Sequence, residues 1–178
     1  MDKTNIVLTG FMYSGKSTVG ELVAASTGKG FVDTDAMIES ETGMAISEIF
    51  GGQGEDAFRK MERGAVERVS AGGEQVIALG GGAVMDEANI AMVRESGVVY
   101  YLEVDAGEVA RRAAGSSGRP LLDGRSPEEV KRLLESRRDS YIRAADAIVE
   151  TAGRSPAEIA DEIARDFKMK KSRDGGDP

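Results

Sequence analysis

Apolar residues in this chain fall into short blocks, and between the blocks they recur at the three-to-four-residue spacing of helices. The blocks at 5–9, 30–33, 75–79, 98–103 and 147–150 predict strands. Helical spacing predicts helices at 16–27, 36–42 with 46–50, 55–70, 86–95, 106–113, 127–143 and 156–168. Strand then helix, repeated along the chain, is the pattern of a parallel sheet covered on both faces, so an α/β fold is expected. Two helices carry clear start signals. Ser126-Pro127-Glu128-Glu129 and Ser155-Pro156-Ala157-Glu158 each put Ser at the cap, Pro at the first helical position and Glu at the third.

The same pattern contains no internal repeat and no long linker, which predicts one domain over residues 1–168. "AAGSSGRPLLDGR", residues 113–125, is a Gly/Ser-rich loop between two helices and a candidate lid. Residues 169–178, ending in "KKSRDGGDP", are expected to form a disordered tail.

Composition narrows the chemistry. The 178 residues include no Cys and no His, which removes disulfides, thiol nucleophiles, imidazole bases and His/Cys metal sites together. Any bound metal should then be a hard ion held by oxygen, which suggests Mg2+. With a net charge of −8, binding to a nucleic-acid backbone is not expected. No apolar stretch approaches the roughly 20 residues of a membrane span, and no cleavable leader pattern precedes the first strand. A cytoplasmic monomer with a small-molecule ligand is expected, with no nucleic-acid or membrane partner. An anionic ligand would require the positive side chains to be concentrated in one place.

That place begins at "GFMYSGKS". Gly10-x-x-x-x-Gly15-Lys16-Ser17 matches the phosphate-loop pattern, between a predicted strand and a predicted helix. Its glycines let backbone N–H groups curl around a β-phosphate, and the helix N-terminus adds its dipole. Lys16 would reach the β- and γ-phosphates and Ser17 would ligate Mg2+, with Tyr13, Ser14, Gly15 and Thr18 completing the nucleotide contacts. A GTP switch is disfavoured. Asn5 and Asn89, the only asparagines, are each followed by Ile, and no D-x-x-G occurs. A small-molecule kinase remains.

The acceptor side follows from the other strand ends, where open α/β sheets bind ligands. "FVDTDAMIE" brings Asp33 and Asp35 to the end of the second strand. If residues 33–35 stay extended, both carboxylates face one way, one to hold Mg2+ and one to orient a hydroxyl. The alternative is that Asp35 only caps the next helix. Gly80-Gly81-Gly82 ends the third strand and leaves bare backbone for a ligand. Arg137 falls within the apolar stripe of Val130, Leu133, Leu134 and Tyr141, so it needs an anionic partner, either a structural carboxylate or a ligand. Glu62 lies within the stripe of Phe58, Met61, Ala65 and Val69, with Arg59 three residues before it. Two arginines converging on a carboxylate give bidentate recognition.

The ordered set "GFMYSGKSTVGELVA", "FVDTDAMIE", "TGMAISEIF", "GEDAFRKMER", "GGGAV", "RPLL" and "RRDSYIRAAD" resembles the shikimate kinase family over residues 5–164. The resemblance implies a P-loop three-layer α/β/α fold of the nucleoside-monophosphate-kinase type, its five-stranded parallel sheet ordered 2-3-1-4-5. It implies transfer of the ATP γ-phosphate to the 3-hydroxyl of shikimate, in the pathway to chorismate and the aromatic amino acids. By the same resemblance, Asp35 is the base or orienting group and Asp33 supports Mg2+ through water, beside Ser17. Arg59 and Arg137 grip the shikimate carboxylate, and Gly80, Gly81 and Gly82 line its ring. The acceptor-binding region is expected at about 34–62. Arg119 is the lid arginine acting on the transferring phosphoryl, and Arg111 with Arg154 and Pro156 flanks adenine. The family's loop usually has a small residue where Tyr13 stands, so Tyr13 is expected to affect the acceptor pocket or the γ-phosphate contact. A kinase of the same architecture for another acceptor, such as gluconate or a nucleoside monophosphate, is the nearest rival. A silent ATP-binding module is the rival of another class.

Overall fold

Every residue of β1 (Asn5–Thr9) is buried, because this strand lies mid-sheet between β3 (Gln75–Ala78) and β4 (Gly97–Glu103). The computed structural model describes residues 4–113 and 126–174. β2 (Gly30–Asp33) and β5 (Ala147–Glu150) form the edges, and the sheet order is β2-β3-β1-β4-β5, as expected. Every pairing is parallel, with Val7 opposite Ile77 on one side and Val99 on the other. The C-terminal ends of the strands therefore share one rim, and the loops that carry the sequence motifs are brought together there.

Alternation along the buried strands divides the core in two. Val7, Ile77, Val99 and Tyr101 face helices α4 (Glu55–Ala71), α5 (Glu87–Ser96) and α7 (Pro127–Ala144), and meet Val66, Ile90 and Tyr141. Ile6, Leu8, Val76 and Tyr100 face α1 (Lys16–Thr27) and α8 (Pro156–Asp174), and meet Val19, Val23 and Ile163. The result is three layers, α/β/α. A satellite core of Ile38, Ile49, Phe58 and Ala65 joins α2 (Thr34–Thr42) and α3 (Ile46–Gln53) to α4. It underlies the 34–62 region expected to receive the acceptor. The remaining helix, α6 (Ala106–Ala113), follows β4.

Both start signals form capping boxes. Ser126 and Glu129 exchange bonds with each other's backbone N–H, and so do Ser155 and Glu158. Several boundaries differ from the pattern-based expectation, among them the end of α3 at Gln53 rather than at residue 50, and three are instructive. α2 begins at Thr34 rather than at residue 36, because the Asp33 carboxylate accepts from the N–H groups of Asp35 (3.0 Å) and Ala36 (3.2 Å) and starts the helix early. β3 ends at Ala78, although the Leu79 N–H still donates to the Leu8 carbonyl at 3.0 Å. α8 runs on to Asp174, where the sequence suggested a tail from 169. Phe167 is buried against the sheet core, and Lys170 reaches back to Asp166, so the last turns have contacts that the composition did not reveal. Residues 114–125, with Arg119 and nearly all of the expected lid, lie outside the described residues, as do 175–178.

Candidate active site

The phosphate loop connects β1 to α1 at the sheet rim. A side chain at Gly10 would meet the Leu102 carbonyl at 2.7 Å, and Gly10 has φ 150, so both space and backbone demand glycine there. Gly15 takes φ 94, and Tyr13 takes φ 62, a left-handed conformation that a bulky side chain seldom adopts. The Tyr13 ring packs against the core, and its carbonyl accepts from Arg112 Nη1 at 2.8 Å. These two contacts hold the loop in its turn. Lys16 is buried, and its Nζ donates to the carbonyls of Gly10 and Phe11 at 2.9 Å each. Its charge is thus aimed along the concave side of the loop.

Ser17, in the first turn of α1, donates from Oγ to Asp33 Oδ2 at 2.6 Å. The two oxygens expected to serve a metal are therefore adjacent. The expected extended pairing of Asp33 with Asp35 is corrected: residue 35 is already helical, and Asp33, not Asp35, is the cap. Asp35 still reaches the site, because a Cβ on Gly80 would lie 2.4 Å from its Oδ1. A cleft of about 840 Å³ is lined by Tyr13, Ser14, Gly15, Lys16, Ser17 and Thr18 together with Asp33 and Asp35. Its far wall is made by Arg111 and Arg112 of α6 and by Arg154 and Pro156 before α8.

Of the two α6 arginines, Arg112 is the one that touches the phosphate loop, with its side chain 25% exposed against 71% for Arg111. Both bond to Glu108, whose carboxyl is pulled down to about 2, chiefly by the hydrogen bond from Arg111. Arg111, expected beside adenine, lines the cleft, and so does Arg112, which the sequence did not single out. The i,i+4 spacing from Glu108 to Arg112 was its only signal. A larger groove of about 1000 Å³ runs along β5 and α8, but it shares no lining residue with this cleft and contains none of the motifs.

The glycine loop adjoins the cleft. Gly80 fits only because it lacks a side chain: Asp35 Oδ1 and Glu62 Oε1 occupy the space at 2.4 and 3.0 Å from where a Cβ would be. The Gly80 N–H donates to Thr34 Oγ1 at 2.9 Å, which ties the start of α2 to this loop; Thr34 lies within "FVDTDAMIE", between the two aspartates that drew attention there. A Cβ on Gly82 would lie 2.4 Å from Arg59 Nη1. Arg59 itself pairs with Glu62 at 2.7 Å and Glu55 at 3.0 Å. Glu62 is 1% exposed. Burial pushes its carboxyl up, and Arg59 only partly opposes this. Its Oε2 is paired with Arg59, while Oε1 has no hydrogen-bond partner among the described residues. Arg137 Nη1 reaches the Gly81 carbonyl at 3.4 Å, and Arg137 makes no ion pair with a carboxylate among the described residues. The same carbonyl accepts from the Tyr141 hydroxyl at 2.5 Å. The two arginines thus stand at consecutive glycines, beside Asp35 and next to the phosphate loop. This arrangement can hold a carboxylated alcohol with its hydroxyl toward a nucleotide's terminal phosphate.

The chain is similar to known proteins over nearly its whole length. A family model described as shikimate kinase matches residues 12–168. A shikimate kinase of Moorella thermoacetica is 44% identical over 164 residues, covering 92% of this chain and 94% of that protein. The structure of a shikimate kinase from Acinetobacter baumannii in complex with shikimate superposes with a TM-score of 0.90 at 33% identity, covering 94% of each chain. One from Aquifex aeolicus gives 0.78 at 32% identity, covering 97% of this chain and 99% of that one.

Proposed function

Since the chain belongs to the shikimate kinase family, we propose a specific division of labour among its residues. The protein is an ATP-dependent kinase that transfers the γ-phosphate of ATP to the 3-hydroxyl of shikimate, giving shikimate 3-phosphate and ADP. The hydroxyl oxygen forms the new bond to phosphorus, the β–γ bridging bond breaks, and the proton leaves the hydroxyl. Catalysis of such a transfer is mostly positioning and charge stabilisation.

Asp35 orients the 3-hydroxyl and receives its proton. Arg59 and Arg137 take the shikimate carboxylate, and Gly80, Gly81 and Gly82 let the ring come close to the backbone. Glu62 holds the Arg59 guanidinium in place. Lys16 turns from the loop carbonyls to the β- and γ-phosphates when ATP binds, and Tyr13, Ser14, Gly15 and Thr18 form the cradle. Arg111, Arg112, Arg154 and Pro156 bound the base. Arg119 is assigned the charge on the transferring phosphoryl by its place in "GRPLL". The adjacent oxygens of Ser17 and Asp33 suit Mg2+, which takes one or two protein oxygens and completes its shell with phosphates and water. When bound, that ion would supply charge neutralisation at the phosphates.

One observation carries this reading: a half-buried Arg137, with no carboxylate paired to it among the described residues, sits one glycine from Arg59 and beside Asp35. The test is ADP release from ATP and Mg2+ with shikimate present and absent, beside gluconate and nucleoside monophosphates. ADP release that depends on shikimate alone is expected. Release with another acceptor and none with shikimate would overturn the reading.

A further inference from the structure

A fully buried tyrosine raises the question of what its hydroxyl does. Tyr141 is 0% exposed, and its ring stacks on Tyr101 with centroids 5.1 Å apart and planes within 15°. Phenylalanine would fill that space equally well, and a buried hydroxyl adds cost unless it is bonded. The Tyr141 hydroxyl donates to the Gly81 carbonyl at 2.5 Å, and burial pushes its ionisation up, so it stays a donor. The same carbonyl is 3.4 Å from Arg137 Nη1. Tyr141 and Arg137 are four residues apart on α7, one turn above the other. The other side of Gly81 meets the phosphate loop: a Cβ there would lie 3.5 Å from the Met12 nitrogen and 3.7 Å from the Gly10 carbonyl.

We propose that Tyr141 is a positioning residue for phosphoryl transfer, whose hydroxyl holds Gly81 so that the glycine loop, Arg137 and the phosphate loop keep one relative placement. The inference rests on the reading of the acceptor site given above. Tyr141 takes the short bond to the Gly81 carbonyl while its oxygen faces the Arg137 guanidinium, so one hydroxyl links the glycine loop to the arginine assigned to the acceptor's carboxylate. Without it, the carbonyl's nearest donor is Arg137, and loop and arginine compete with the substrate. The hydroxyl touches neither substrate. It acts through Gly81, which borders both.

Tyr141→Phe keeps the ring and its stacking, and so separates the hydrogen bond from packing. The expected result is a shikimate KM raised about tenfold, the scale of one buried hydrogen bond lost. kcat should fall several-fold, and the ATP KM should stay within about twofold. Tyr101→Phe, which keeps the same stack, is the packing control and is expected to match wild type in shikimate KM. In an Arg137→Lys/Tyr141→Phe double variant the two KM factors should not multiply, because both act through one carbonyl. Tyr141→Phe with shikimate KM and kcat within about twofold of wild type overturns the proposal, whatever its melting temperature. So do KM factors that multiply in full. A wild-type protein without shikimate-dependent ADP release would instead sink the functional reading, so the two failures are distinguishable.

Discussion

Arg137 interrupts the apolar stripe of α7, and burying a guanidinium part-way is costly when, as here among the described residues, no carboxylate makes a direct ion pair with it and Glu62 acts only through its field. Its fork geometry suits a carboxylate accepted side-on, which the point charge of lysine cannot reproduce. Arg137→Lys is therefore expected to raise the shikimate KM at least tenfold while changing the ATP KM by less than about threefold. Steady-state kinetics with each substrate varied in turn check this, and equal effects on both would make Arg137 structural. Arg59 differs in kind. Burial works against its charge, but Glu62 and Glu55 outweigh that and hold the guanidinium firmly protonated. Glu62 thus fixes the Arg59 guanidinium although its own charge is disfavoured by burial.

At the scale of elements, close backbone approach sets the spacing of the central strands at the end of the sheet opposite the site. Gly97, which opens β4, lies against the backbone of β1: a Cβ there would be 2.5 Å from the Asn5 carbonyl oxygen. Its backbone is extended, so any residue could adopt the conformation, and only space forbids one. Gly97→Ala must push β1 and β4 apart or bend them, at about 1–3 kcal/mol. The expected loss in thermal midpoint is about 3–10 °C for a chain of this size, read by calorimetry or circular dichroism. An unchanged midpoint would show that the strands can relax at no cost. The helix starts follow local chemistry more than packing. Asp33 combines two tasks, capping α2 and bonding Ser17, which is why α2 begins two residues earlier than its apolar spacing suggests.

Across the whole molecule, α8 is tied to the sheet by Asp166, which accepts from the Tyr100 hydroxyl of β4 at 2.8 Å and from Lys170. Burial disfavours the Asp166 charge, but the bonds from Lys170 and Tyr100 outweigh it and hold the carboxyl below its ordinary range. A depressed folded value means that this stabilisation is present above about pH 4, the ordinary carboxyl range, and is lost as pH falls through the lower folded value. Asp166→Asn should lower the thermal midpoint at neutral pH by about 2–4 °C and flatten its fall on acidification. Parallel melting curves between neutral and acid pH check both. An equally steep acid limb in the variant would assign the acid response to other carboxylates.

Short apolar blocks and helical spacing determined the five strands, the fold class and nearly every helix, because hydrophobic periodicity is a local record of which face is buried. The residues that the structure brings together at the cleft and the adjoining glycine loop, namely the phosphate loop, Asp35, the glycine triplet, Arg59 and Arg137, could be picked out beforehand, since each stands in a short motif or breaks an apolar stripe. Only the tertiary structure decided that Arg112 meets the phosphate loop, that Thr34 and Tyr141 bond to the glycine loop, and that α8 continues to Asp174. These outcomes depend on contacts between residues up to 99 positions apart in the chain. No local pattern encodes them, because the direction of a hydrogen bond is set by where the partner strand or helix arrives once the sheet has assembled.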